Sequence, residues 1–106
     1  VEKSCEFYRN TLKLKPMERP AFDFPGAWFR LGDFQELHLI GGLENAVNSQ
    51  PRSNHFALRA DSLDEWEEHF GIIEQEYVPR RIRPDGAFQI YVADPDGHHI
   101  ELFTGP

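Results

Sequence analysis

FQIYVADPDGHHIELF, residues 88–103, is two extended segments around an Asp94-Pro95-Asp96-Gly97 turn. Proline and glycine within one short acidic run make a hairpin the expected outcome, with strands over Ala87–Ala93 and His99–Phe103. Strand alternation in the second of these buries Ile100 and Leu102 under helices and turns His99, Glu101 and Phe103 to the opposite face. Tyr91 stands ten positions before Glu101 across the turn. The hairpin therefore brings the phenol and the carboxylate onto one face.

The hairpin has an echo earlier in the chain. Leu37-His38-Leu39 lies over Ile100-Glu101-Leu102 at an offset of 63 residues, and Ala27-Trp28-Phe29 lies over Ile90-Tyr91-Val92 at the same offset. The order of elements agrees with that repeat. The first half reads as a helix over about 2–13, with Val1, Cys5, Tyr8 and Leu12 on one face, and strands at Lys15–Phe22, Ala27–Leu31 and Glu36–Ile40. Residues 41–53 lack periodicity and are rich in turn formers, so they read as a connector. The second half reads as a strand at Asn54–Ala60 and a helix at Ser62–Phe70, the latter with a Ser62/Glu65 capping box and Gly71 at its end. Strands at Gln75–Arg83, Ala87–Ala93 and His99–Phe103 complete it. The 63-residue offset carries His55 to a position upstream of Val1, so the first half is expected to lack its opening strand, and the first helix has no N-cap residue before it.

The composition sets the broad class. The chain has 106 residues, with 11 Lys and Arg against 18 Asp and Glu, a formal charge of −7. An acidic surface disfavours nucleic acid and anionic membranes as partners. Hydrophobic residues at 40% suffice for a core. A single cysteine, Cys5, excludes an internal disulfide, and a reducing cytoplasm is the expected location. No membrane span or signal peptide is expected from the short apolar runs.

Chemistry-bearing residues gather on the strand faces turned away from the helices. Alternation in Glu36–Ile40 directs Leu37 and Leu39 to the core and Glu36, His38 and Ile40 to the other face. Phe56 and Leu58 do the same for the strand carrying His55. Thus His38, His55 and Glu101 lie at corresponding places in two similar halves, and two imidazoles with one carboxylate suit Fe, Mn, Ni or Zn as a divalent ion with open coordination positions. The alternatives are a half-buried hydrogen-bonding histidine and a solvated glutamate. Tyr91 reads either as a hydrogen-bond or proton donor at such a centre or as a cross-strand packing partner. Trp28 and Arg30 share the face of His38, and Arg59 that of His55, so these residues could line a substrate pocket. Arg80, Arg81 and Arg83, near Pro79 and Pro84, read first as protection of an edge strand and second as an anion site. Cys5 is expected on a packed face. No Ser-His-Asp pattern, phosphate loop or dinucleotide fingerprint is present.

CEFYRNTLKLKPMERP, GAWFRLGDFQELHLI, NHFALRADSLDE and FQIYVADPDGHHIELF together resemble the glyoxalase, bleomycin-resistance and extradiol-dioxygenase superfamily, also called vicinal oxygen chelate. The DPDG turn followed by an Ile-Glu-Leu strand is the most specific part. The resemblance implies an α+β fold. Two βαβββ-like modules would form a curved mixed sheet around a metal cup, with the first module lacking its opening strand. The chain would be a single domain, with module one at 1–41, a linker at 42–53 and module two at 54–106. It also implies that His38, His55 and Glu101 are metal ligands, that a fourth ligand belongs to the missing strand, and that Tyr91 lies at the metal. Glyoxalase I generally has a glutamate where His38 stands, which argues against the glutathione-dependent isomerase reaction. The implied function is lyase or isomerase-type chemistry on a small oxygenated substrate chelated by a divalent metal, with Glu36 or Tyr91 moving the proton and Trp28, Arg30, Arg59 and Phe103 around the substrate. The alternatives are an Fe(II) extradiol-type dioxygenase and a metal-free drug-binding protein that stacks its ligand on Trp28, Tyr91 and Phe103. A homodimer is expected.

Overall fold

The computed structural model describes every residue except Asn45, Ser53 and Pro106. The chain forms two compact units, Val1–Ala46 and Val47–Pro106. Each carries its own sheet, giving the α+β, two-module organisation. The expected linker is irregular along its described residues, while Asn45 and Ser53 within it lie outside them.

In the first unit, α1 (Glu2–Glu6) runs directly into a π-helical stretch, Phe7–Thr11. The wide turn is closed by Leu12 N–H donating to the Phe7 carbonyl at 3.0 Å. Ser4, Phe7, Tyr8, Thr11 and Leu12 are buried, whereas Val1 is exposed and Cys5 is only half-buried. The buried stripe keeps helical spacing, Ser4-Tyr8-Leu12 with Phe7-Thr11, and Ser4 rather than Cys5 is its buried member in the first turn. Next come β1 (Lys15–Met17), β2 (Gly26–Leu31) and β3 (Gln35–Ile40), all antiparallel in the order β1-β2-β3. β1 is shorter than the segment Lys15–Phe22 expected for it. Phe29 packs from β2 against Tyr8, with ring centroids 6.1 Å apart.

The second unit holds β4 (Phe56–Arg59), α2 (Leu63–Ile72), β5 (Val78–Ile82), β6 (Phe88–Ala93) and β7 (His99–Thr104). Its sheet order is β4-β7-β6-β5, with β4 parallel to β7 and the other pairs antiparallel. Leu63 and Phe70 of α2 are buried with Ile90, Val92, Ile100 and Leu102 of the sheet. Each such side chain contributes roughly 1.5–3 kcal/mol by leaving water. The alternation expected for the final strand thus holds for Ile100 and Leu102.

Two details of α2 depart from the sequence expectation. Ser62 is the N-cap in extended conformation, but its side chain makes no capping hydrogen bond. Gly71 lies inside the helix, and Glu74 takes the left-handed conformation instead, at φ 58°. The closing bonds run from Gln75 N–H to the Phe70 carbonyl and from Glu74 N–H to the Gly71 carbonyl. This is a Schellman ending, whose register is set by where Phe70 must be buried rather than by the nearest glycine.

The 63-residue repeat survives as ladder register. Trp28 faces His38 across β2–β3, and Tyr91 faces Glu101 across β6–β7. The β6–β7 turn is fastened by Asp94, whose buried carboxylate accepts the N–H groups of Asp96 and His98 at 3.0 and 2.8 Å.

Candidate metal centre

Glu101 sits on central strand β7 and is only 5% exposed. A bare buried carboxylate would cost several kcal/mol, so its partners are decisive. His55, the residue preceding β4, presents Nε2 3.0 Å from Glu101 Oε1. The parallel register allows this pairing as a diagonal contact. Ala57 is opposite Glu101, and His55 lies two residues before it on the same face. Tyr91 donates from its hydroxyl, which is 3.3 Å from Glu101 Oε1 and 3.3 Å from the Pro51 carbonyl oxygen. The His55 and Tyr91 rings meet edge to face at 5.2 Å. Arg83 donates from Nη1 to Glu101 Oε2 at 3.0 Å.

These neighbours set the protonation of the phenol. Burial first, then the negative charge and hydrogen bond of Glu101, push the Tyr91 hydroxyl above its ordinary value. It is therefore a protonated donor across the neutral range. The Arg83 guanidinium holds Asp85 below the usual carboxylate range through a side-chain hydrogen bond, assisted by the Ala87 N–H.

Around this group, the Phe103 ring has the guanidiniums of Arg59 and Arg83 over it at 5.4 and 5.1 Å. Arg59 is anchored by donating to the Gly105 carbonyl at 3.1 Å. The second unit thus brings together His55, Glu101, Tyr91, Arg59 and Phe103.

The remaining expected site residues belong to the first unit. His38 stacks on Trp28 with ring centroids 3.8 Å apart and planes at 3°, and its Nε2 lies 3.0 Å from Glu36 Oε1. It is 42% exposed at the side chain, against 21% for His55. Arg30 is exposed and donates to the Asp33 carbonyl in the β2–β3 turn.

Among the described residues, no group of three or more His, Cys, Asp or Glu side chains is gathered so as to hold a metal. The donor pair His55–Glu101 fits a divalent first-row cation in kind, as one imidazole nitrogen and one carboxylate oxygen facing each other under cover. His55 Nδ1 is buried without a hydrogen-bond partner, leaving the imidazole only one committed nitrogen. His99 Nδ1 is likewise buried without a partner. The backbone N–H of His99 is held by the Ser49 hydroxyl at 2.8 Å.

Sequence reasoning missed Arg83 as a member of this group. β5 is indeed an edge strand, but two arginines of the basic cluster are committed elsewhere. Arg80 pairs with Asp64 and Glu67, the first at 2.6 Å. Arg83 lies beyond the end of β5, paired with Asp85 and Glu101. The available signal was the carboxylate itself, since a glutamate on a central strand needs a cation nearby.

The family model of the Glyoxalase/Bleomycin resistance protein/Dioxygenase superfamily matches residues 1–102. A metallothiol transferase, FosB, from Staphylococcus saprophyticus is 26% identical over 99% of this chain and 70% of its own length. The fosfomycin resistance protein FosX from Listeria monocytogenes, as an E126Q mutant complexed with Mn(II) and 1S,2S-dihydroxypropylphosphonic acid, superposes with a TM-score of 0.79. It is 23% identical, over 100% of this chain and 84% of that one. Lactoylglutathione lyase from Agrobacterium tumefaciens superposes with a TM-score of 0.76 at 23% identity, over 99% of this chain and 85% of that one.

Proposed function

We propose that this chain, which belongs to the Glyoxalase/Bleomycin resistance protein/Dioxygenase superfamily, is a metal-dependent enzyme acting on a small oxygenated substrate, with His55 and Glu101 as ligands of its divalent cation. The observation that carries the reading is the 3.0 Å approach of His55 Nε2 to Glu101 Oε1 in a buried setting. Relatives described as a metallothiol transferase and as a Mn(II) complex support the same class of chemistry. Held by His55 and Glu101, a divalent cation would supply Lewis-acid stabilisation of negative charge on a substrate oxygen.

The chain's own residues do the rest. Arg83 and Tyr91 hold the Glu101 carboxylate from two sides, fixing its orientation. Tyr91, whose hydroxyl lies 3.3 Å from Glu101 Oε1, is the group placed to donate a hydrogen bond to an oxygen held beside that carboxylate. The Arg59 guanidinium, which lies over the Phe103 ring and donates to the Gly105 carbonyl, favours a substrate that carries negative charge.

The test is turnover by metal-loaded protein, followed by proton NMR. The substrates are a methylglyoxal hemithioacetal, an epoxide-bearing phosphonate with water or with a thiol, and a catechol under air. Conversion of the hemithioacetal or the epoxide that needs the cation and is lost in Glu101→Gln is the expected result. Ring cleavage of the catechol alone would assign the Fe(II) dioxygenase alternative. No conversion, together with tight drug binding that a chelator leaves unchanged, would assign the sequestration alternative.

A further inference from the structure

Glu101 divides its two oxygens between different partners. Oε1 faces His55 Nε2 and the Tyr91 hydroxyl, and Oε2 accepts from Arg83 Nη1. Arg83 is itself fixed from three directions. Its Nε donates to Asp85 Oδ1 at 3.1 Å and its Nη2 pairs with Asp85 Oδ2, so the carboxylate grips the fork bidentately. The Phe103 ring lies under the guanidinium plane. The backbone around it is closed by the Arg83 N–H to Ala87 carbonyl and Gly86 N–H to Arg83 carbonyl bonds, and Asp85 also accepts the Ala87 N–H. A planar cation with so little freedom determines where Glu101 Oε2 lies, and through it the direction of Oε1.

We propose that Arg83 is the positioning residue of the metal centre. It engages one oxygen of Glu101 so that only the oxygen facing His55 is offered to the cation. This role rests on the metal-centre reading above. It differs from the edge protection that the charge pattern suggested, because a protecting charge has no need of a buried partner.

The test is Mn(II) binding followed by electron paramagnetic resonance, with no substrate present. Arg83→Met is expected to weaken binding by about 10–100-fold, the usual scale for losing a partner that orients a ligand. Arg83→Lys recovers part of the loss, because an ammonium keeps one charged donor but not the fork. Asp85→Asn, at an exposed side chain touching neither His55 nor Glu101, weakens binding in the same direction by less. It also carries the test should Arg83→Met fail to fold. The resonance of the bound ion also changes shape in Arg83→Met, since Oε2 is released. Wild-type affinity in both Arg83→Met and Asp85→Asn, with binding abolished in His55→Ala, would overturn this role and leave the metal centre standing. Absence of Mn(II) binding by the wild-type protein would remove both.

Discussion

A buried carboxylate is tolerable only when its charge is answered, and Glu101 is answered by a histidine, a tyrosine and an arginine from three different parts of the second unit. The tyrosine is the most informative of them. Tyr91→Phe removes one donor to a charged acceptor and is expected to cost about 1–2 kcal/mol, measured as a lower denaturant midpoint at neutral pH. The hydroxyl pKa is raised in the folded state, so its contribution is fully present below the ordinary tyrosine value near 10 and is lost as pH rises through the shifted value. The mutant should therefore lose less stability than the wild type between neutral pH and strong alkali. An identical alkaline loss in both proteins would contradict the assignment. The pairing of Tyr91 with Glu101 was legible because a ten-residue spacing across a Pro-Gly turn fixes a hairpin register. The third partner, Arg83, was not, because a sequence shows a run of arginines but not which of them turns inward after the strand ends.

Among the elements, the strands of the two hairpins were legible almost to their ends, and the helices were not. The strands β2, β3, β6 and β7 fall within a residue of their expected bounds, since alternation and turn signals agree. The helix expected at Ser62–Phe70 overlaps α2, but its end was misread because the Schellman bond follows the burial of Phe70 rather than the presence of Gly71. The left-handed Glu74 is a strained position for a residue with a Cβ. Glu74→Gly is expected to raise stability by roughly 0.5–1 kcal/mol, because relief of that strain outweighs the added flexibility of the unfolded chain. A lower urea midpoint in this variant would mean that Glu74 makes a compensating contact. The π-helical stretch was invisible for a related reason. Phe7 and Tyr8 are both buried with their rings edge to face at 5.1 Å, and no single-residue propensity encodes the Leu12 N–H to Phe7 carbonyl bond that closes the wide turn.

Across the whole molecule, the 63-residue repeat is the feature that made the fold readable, and it holds to the residue in the two hairpin ladders. It also shows where like positions have unlike surroundings. His38 and Glu101 are counterparts, yet His38 lies exposed against Trp28 and Glu36 while Glu101 is buried beside His55. Repeat position alone could not distinguish a stacked surface imidazole from a buried carboxylate, because burial arises from packing within each unit. His38→Ala is accordingly expected to weaken cation binding less than His55→Ala, a comparison made by calorimetric titration. Metal binding by the pair His55 and Glu101 is proposed independently of any particular substrate. Titration of the purified, chelator-treated protein with Mn(II) tests it most directly. Stoichiometric binding that disappears in both His55→Ala and Glu101→Gln is the result predicted. Binding that persists unchanged in both variants, or no binding by the wild-type protein, would contradict it.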